Sequence, residues 1–350
     1  MLLVIFGAGA SYDSAPDFPL PETTYTPRGG SWRPPLTNQL FLDSSEQFGS
    51  IVPKYPKLAS IIPFLRRPQN GRTLEQQLEF YLDESSADQE RKRQLLSVRY
   101  YIHDLLRIVS TEWLKRTNGV TNYAVLLDQI RHRNTANEPV YLVTFNYDLL
   151  LDRAVLPLGT SPQPHEPAFD VHPMFKLFKP HGSVDWARLV TGPITQRQAP
   201  QQLIEQAPDL RFSDQYVRAN ATDPNEMFKF NGSIIPAIAI PVQTKTEETF
   251  EWPIAHQLQF EQVLPHVTKT LIVGWQAKEA HFLKLLREKL PKGGVTQITH
   301  LQVVAKDSAD AGHISKQFIA DIDRRVQKLD PSQGSFCKYV EQDWVSFFDY

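Results

Sequence analysis

One cysteine, Cys337, occurs in 350 residues. That scarcity excludes an intrachain disulfide framework and also a four-cysteine zinc module. The ten histidines include no HExxH and no pair four residues apart, so helical metal-ligand spacing is missing as well. No apolar stretch approaches the ~18 residues of a membrane span. The opening run "LLVIF" has no basic region before it and is shorter than the ~7–15 apolar residues of a secretory leader. The expectation is a cytoplasmic chain, whole from Met1. An excess of one charge is lacking too. A formal net charge of −2 gives no general attraction to nucleic acid or to an anionic membrane. The short basic runs at 66–67 and 91–93 read as solvated helix faces.

What is present, 41% hydrophobic and 22% charged residues, is the composition of a soluble globular protein, long enough for one large domain or two ordinary ones. Leu2–Phe6 is an unbroken apolar run that ends in glycine, the pattern of a strand buried on both faces. Residues 12–35 hold six prolines and the pair Gly29–Gly30, which predicts a long loop of the kind that usually carries function. From 41 to 134 the apolar residues recur at helical spacing, as with Leu74, Leu78 and Leu82, and predict a helical insertion. Strand-like runs return at 140–145, 233–240, 270–275 and 300–304, with an amphipathic helix between the last two. That alternation predicts an α/β fold: a Rossmann-like parallel sheet with helices on both faces, built from 1–40 and 135–350. Residues 187–230 are polar and read as a second, irregular insertion.

Three short motifs fall where predicted strands end. The first is "GAGAS" at 7–11, whose glycines let bare backbone approach a diphosphate. A tight strand-to-helix turn without a ligand reads the same way. The full dinucleotide fingerprint wants a third glycine where Tyr12 stands, and an acid closing a second strand ~20 residues on. Here that region is loop, with Glu22 in no strand, so an ordinary hydride-transfer dehydrogenase is not expected. The second motif is "TFNYD" at 144–148, at the sheet edge where ligands bind, or else an Asx turn capping the helix that follows. The third is "KPHGS" at 179–183, where His181 is a base with a near-neutral pKa or a structural histidine.

In this order the three motifs resemble the sirtuin-like (silent information regulator) superfamily. Its deacylases read GAGIS, TQNID and HG, which Gly7, Gly9, Ser11, Thr144, Asn146, Asp148, His181 and Gly182 match. Phe145 replaces the family glutamine, and the four zinc cysteines are missing, with 187–230 in place of their module. With "TFNYD", "PPLTNQLF" and the helical insertion, the pattern is more similar to bacterial sirtuin-like NADases of anti-phage defence. The resemblance implies an NAD glycohydrolase of abortive infection, with NAD as substrate and no metal.

It also implies roles. The amides around Gly7, Ala8, Gly9, Ala10 and Ser11 hold the diphosphate, with Thr144, Phe145 and Gly182 beside the cofactor. Asn146 orients the ribose hydroxyls or the attacking water, and His181, neutral at rest, is the base. Asp148 holds either the nicotinamide side or the Asn146 loop. Gly274 and Asp307, closing "LIVGW" and "LQVVAKD", face the adenosine half. Asp13 and Asp17 lie in a loop able to close over the site, and Arg28 or Arg33 could meet a 2′-phosphate. No sensor domain follows residue 315, so sensing falls to self-assembly or to a separate partner of helicase/ATPase or Argonaute type. Two other readings are a catalytically silent NAD- or ADP-ribose-binding subunit and an NAD-dependent deacylase. A Ser-His-Asp hydrolase is not supported, because no GxSxG occurs.

Overall fold

Leu2–Phe6 (β1) is buried at every position, and it stands between two parallel neighbours. In the computed structural model, which describes residues 1–16, 32–42, 46–134, 138–158, 167–192, 198–242, 250–291, 298–323, 326–331, 335–341 and 347, these are Val140–Thr144 (β2) and Lys269–Val273 (β7). Phe175–Phe178 (β3) extends one side, Ile298–Val304 (β8) and Val326–Pro331 (β9) the other. The order is β3-β2-β1-β7-β8-β9, parallel throughout. Numbered along the sheet's own strands this is 3-2-1-4-5-6, the doubly wound order, with its switch point between β1 and β7. The α/β fold predicted from the alternating runs is present.

Alternation along β1 divides the core in two. Leu2, Val4 and Phe6 face one side, under Asn122–Arg133 (α7), Leu150–Val155 (α8) and Phe336–Glu341 (α14). Leu3 and Ile5 face the other, under Ile254–Val263 (α11), Ala280–Lys289 (α12) and Ser308–Ile322 (α13). Ala8–Tyr12 (α1) follows β1 directly.

A second core lies beside the first. Glu46–Ile51 (α2), Pro56–Ala59 (α3), Ile62–Arg66 (α4), Leu74–Glu84 (α5) and the long Gln89–Arg116 (α6) pack against an antiparallel sheet of Gly182–Thr191 (β4), Arg211–Arg218 (β5) and Ser233–Ile238 (β6). Two local expectations change here. Residues 187–230 are not irregular: they hold the end of β4, Pro200–Glu205 (α9), β5 and Pro224–Met227 (α10). As an edge strand, β5 is largely exposed, so its sequence shows no apolar alternation. The 233–240 run does not join the parallel sheet. Pro236 offers no N–H to a neighbour, which suits β6 to the edge of the order β5-β4-β6. The helical segment also divides, because Trp113 at the end of α6 and all of α7 belong to the parallel sheet's core.

Around the switch point, backbone meets backbone. A Cβ on Gly7 would lie 2.5 Å from Trp275 Cα and 2.6 Å from Gly274 O. One on Gly274, where φ is +61°, would lie 2.3 Å from Ala10 N. Gly274→Ala is therefore expected to lower unfolding free energy by about 2–4 kcal/mol, from overpacking and left-handed strain together. Gly312→Ala in mid-α13, where nothing stands within 4 Å, should instead raise it by up to about 1 kcal/mol. Denaturant titration of both variants checks the pair, and an undiminished midpoint for Gly274→Ala would contradict the contact.

Candidate active site

The sheet register brings four motifs to one edge. Phe6 pairs with Thr144 and with Val273, and Val143 pairs with Phe178. The chain just beyond each of these strands carries the glycine turn, the Asn-Tyr-Asp turn, Gly274 and His181. This is the carboxyl edge of an open parallel sheet at its switch point.

Asn146 is the centre of the polar contacts. Its Nδ2 lies 2.9 Å from Gly7 O, 2.8 Å from Ser11 Oγ and 3.1 Å from Tyr123 OH. Gly7 O can only accept, so the amide's nitrogen must face it, and this fixes which way the side chain points. The donor side of Asn146 is thus committed to the protein, and Oδ1 is the atom it can offer to a ligand. Ser11 Oγ donates to the Asp148 carboxylate, so Tyr123 OH donates to Ser11 across their 2.9 Å contact. Thr144 Oγ1 accepts from Asn146 N at 3.1 Å.

Asp148 Oδ1 accepts from Leu150 N at 2.9 Å, the Asx turn that the sequence pattern also allowed. Burial pushes its carboxyl above the ordinary carboxylate value. The Ser11 and Leu150 hydrogen bonds and the nearby Lys179 charge pull the other way without prevailing.

His181, 3% exposed, places Nδ1 3.2 Å from Phe145 O. A carbonyl only accepts, so in the neutral ring Nδ1 carries the proton and Nε2 the lone pair. The ring lies among Phe145 (4.8 Å between centroids), Phe250 (5.7 Å) and Tyr147 (6.0 Å). Phe145 in turn stacks on Trp275 at 5.1 Å and 15°. The phenylalanine at 145 thus builds an aromatic wall. At Gly182, φ is +79° and a Cβ would stand 1.9 Å from Ala237 O, so only glycine fits after His181.

Other residues singled out in the sequence are used differently. The amides of Gly7, Gly9 and Ala10 donate to Val273 O, Gly274 O and Gly7 O at 3.0, 3.1 and 2.9 Å, so here they serve the fold. Ala8 begins α1 and Gly274 closes β7. Asp307 caps α13, accepting from Ala309 N and Asp310 N at 3.0 and 2.9 Å. Asp13 is not a loop acid. It is buried at the end of α1, where its carboxylate accepts from Cys337 N and Sγ, both at 3.1 Å. Burial pushes that thiol up to about 12. Arg33 donates to Tyr12 O and lies over the Tyr12 and Trp113 rings at 5.2 Å. Asp17, Glu22 and Arg28 lie outside the described residues.

Three residues that the motifs did not single out complete the site. Tyr123 reaches it from α7 with no sequence signal. Tyr147 forms a wall, its phenol pushed up chiefly by burial. Lys179, 1% exposed, donates to Asp148 O at 2.7 Å and to Asp152 Oδ2 at 2.9 Å. Its signal was a lysine closing an apolar strand two residues before His181. Among the described residues, no three His, Cys, Asp or Glu cluster to hold a metal ion, and no helix is long and apolar enough to cross a membrane.

A scan of protein-family models and a search of curated proteins each found no match to this chain.

The raised Asp148 carboxyl has a stability consequence. Its folded pKa lies above the unfolded ~3.9, so the folded state loses stability as pH rises from about 4 through the folded value. Asp148→Asn keeps an acceptor for Leu150 N and lacks that loss. Its melting temperature is expected to exceed the wild type's at pH 7 and to converge on it near pH 4. A gap of the same size at both pH values would count against a buried carboxylate.

Proposed function

We propose that the protein is an NAD glycohydrolase of the sirtuin-like type, acting in the cytoplasm as an effector of anti-phage defence. The observation that carries this reading is the joint fixing of two atoms at a doubly wound switch point. Asn146 presents an acceptor because its donors are committed, and His181 presents Nε2 because Phe145 O holds Nδ1–H.

The reaction suits that pair. Nicotinamide leaves oxidised NAD with the electron pair of its bond to ribose, so no acid is needed for departure. The ribosyl centre then resembles the oxocarbenium-like state of glycoside hydrolysis. Water supplies the new C–O bond, and its proton must be taken up. In this assignment His181 Nε2 accepts a proton from that water or from a ribose hydroxyl, while Asn146 Oδ1 accepts a hydrogen bond that orients the same group. Asp148 acts on the turn itself, through Ser11 and Leu150, and so on the aim of Asn146. Phe145, Tyr147, Phe250 and Trp275 exclude bulk water and competing nucleophiles. The diphosphate falls beside the glycine turn, where the absence of side chains leaves room although the Gly7, Gly9 and Ala10 amides stay bonded within the fold, with Gly274 and the start of α13 toward the adenosine half.

A silent NAD-binding subunit is the second reading. It is favoured by burial, since Asn146 and His181 are 7% and 3% exposed, and a substrate must part the walls to reach them. Self-assembly or a separate sensor protein would supply that opening.

Purified protein incubated with NAD is expected to release nicotinamide without any acylated peptide. His181→Ala should lower that rate by ~10²–10⁴-fold, the range for loss of a general base. Asn146→Ala should lose it too. Chromatographic quantification of nicotinamide is the readout. NAD bound without turnover, under conditions that assemble the protein, would select the silent-subunit reading instead.

A further inference from the structure

A buried lysine links the segment that carries His181 to the turn that carries Asn146. Lys179 ends the segment that delivers His181, and its Nζ crosses to the Asn-Tyr-Asp turn, donating to Asp148 O at 2.7 Å. The same turn returns a contact, because Phe145 O accepts from His181 Nδ1 at 3.2 Å. Two rungs therefore join the 179–181 segment to the 145–148 turn, one on each side of Asn146. Asp152 Oδ2, 2.9 Å from Nζ on the first turn of α8, balances the ammonium charge. Beside them is a small cavity lined by Asp152, Asp185, Lys179, Arg218, Trp186 and Leu177, its two acids matched by two bases. An ammonium at 1% exposure costs much to desolvate and is tolerated only when paired, and an apolar side chain would fill the same slot at less cost. What the apolar side chain would lack is the bond to Asp148 O.

We propose that Lys179 is a positioning residue that sets Asn146 against His181 by bonding the carbonyl of Asp148, an inference resting on the hydrolase reading of the site. It touches no substrate atom. Its effect is therefore on the aim of the reacting groups and not on affinity.

The test uses the full chain with Lys179→Met, and with Lys179→Met combined with Asp152→Asn so that the Asp152 carboxylate is not left without its cation. The double variant is expected to melt close to the wild type, yet to show kcat lower by ~10²-fold with KM within about twofold, the scale of a misplacement near 1 Å. A second readout needs no activity. In ¹⁵N-histidine spectra, His181, assigned by its loss in His181→Asn, should show Nδ1–H alone in the wild type and a mixture of tautomers in the double variant. A folded double variant with unchanged kcat and unchanged His181 tautomer overturns the proposal. A wild type that releases no nicotinamide under conditions that assemble the protein overturns the hydrolase reading instead. The histidine spectrum then decides the positioning role alone, a mixture supporting it and an unchanged tautomer refuting it.

Discussion

Close approach of two backbones, the β1–α1 turn and the end of β7, is the constraint on which the site depends. Gly7 and Gly274 leave no side-chain atom between them, and Gly7 N and Gly9 N are bonded to Val273 O and Gly274 O. This closes the base of the crevice between the two strands. It also fixes where Ser11 stands, one turn later on α1, and Ser11 Oγ is where Asn146, Tyr123 and Asp148 meet. A side chain at any of these glycines would widen the crevice and move the hydroxyl from that meeting point. The glycines therefore have a reason in the apo fold before any phosphate is considered.

Hydrogen-bond direction then propagates outward from groups that have no choice. Gly7 O and Phe145 O are acceptors only, so the Asn146 amide and the His181 ring must turn their N–H groups toward them. Each side chain keeps one acceptor atom uncommitted by that contact. The protein thus selects which end of each polar group faces these carbonyls. Burial sharpens the selection, because a wrongly turned amide in such a place leaves a donor unsatisfied at a cost of about 1–3 kcal/mol.

The parallel sheet was legible because its central strands are continuous apolar runs, Leu2–Phe6 and Val140–Thr144, ended by glycine or polar turns. The motif residues were legible as residues at strand ends. Partnerships were not. Nothing in "NYAVLLDQI" marks Tyr123 as the side chain reaching Ser11, since a helical tyrosine reads as core. Asp13 looked like part of a proline-rich loop because its partner, Cys337, is 324 residues away. The small antiparallel sheet was hidden for a different reason: β5, an edge strand without a buried residue, shows no apolar period, and β6, legible as an apolar run, looked no different from a strand of the parallel sheet.

That small sheet and the helices on it are not an appendage to the site. Glu251, 3% exposed, is ion-paired with Arg99 of α6 and with Arg188 of β4, the latter at 3.3 Å. Its backbone N donates to Pro180 O at 3.0 Å, and its neighbour Phe250 packs against the His181 ring. One residue, through its carboxylate and its backbone, therefore joins a helix of the second core, a strand of its sheet and the segment that carries the histidine. Removing a single partner from a buried ion pair is far more damaging than never having built it, typically by about 3–5 kcal/mol. A movement of α6 relative to β4 would have to break that pair or carry Phe250 with it. The second core is in this way mechanically connected to His181, and it also reaches the turn after Asn146, where Val184 N of β4 donates to Tyr147 O at 2.9 Å, whereas the Asn146 amide itself bonds Gly7, Ser11 and Tyr123.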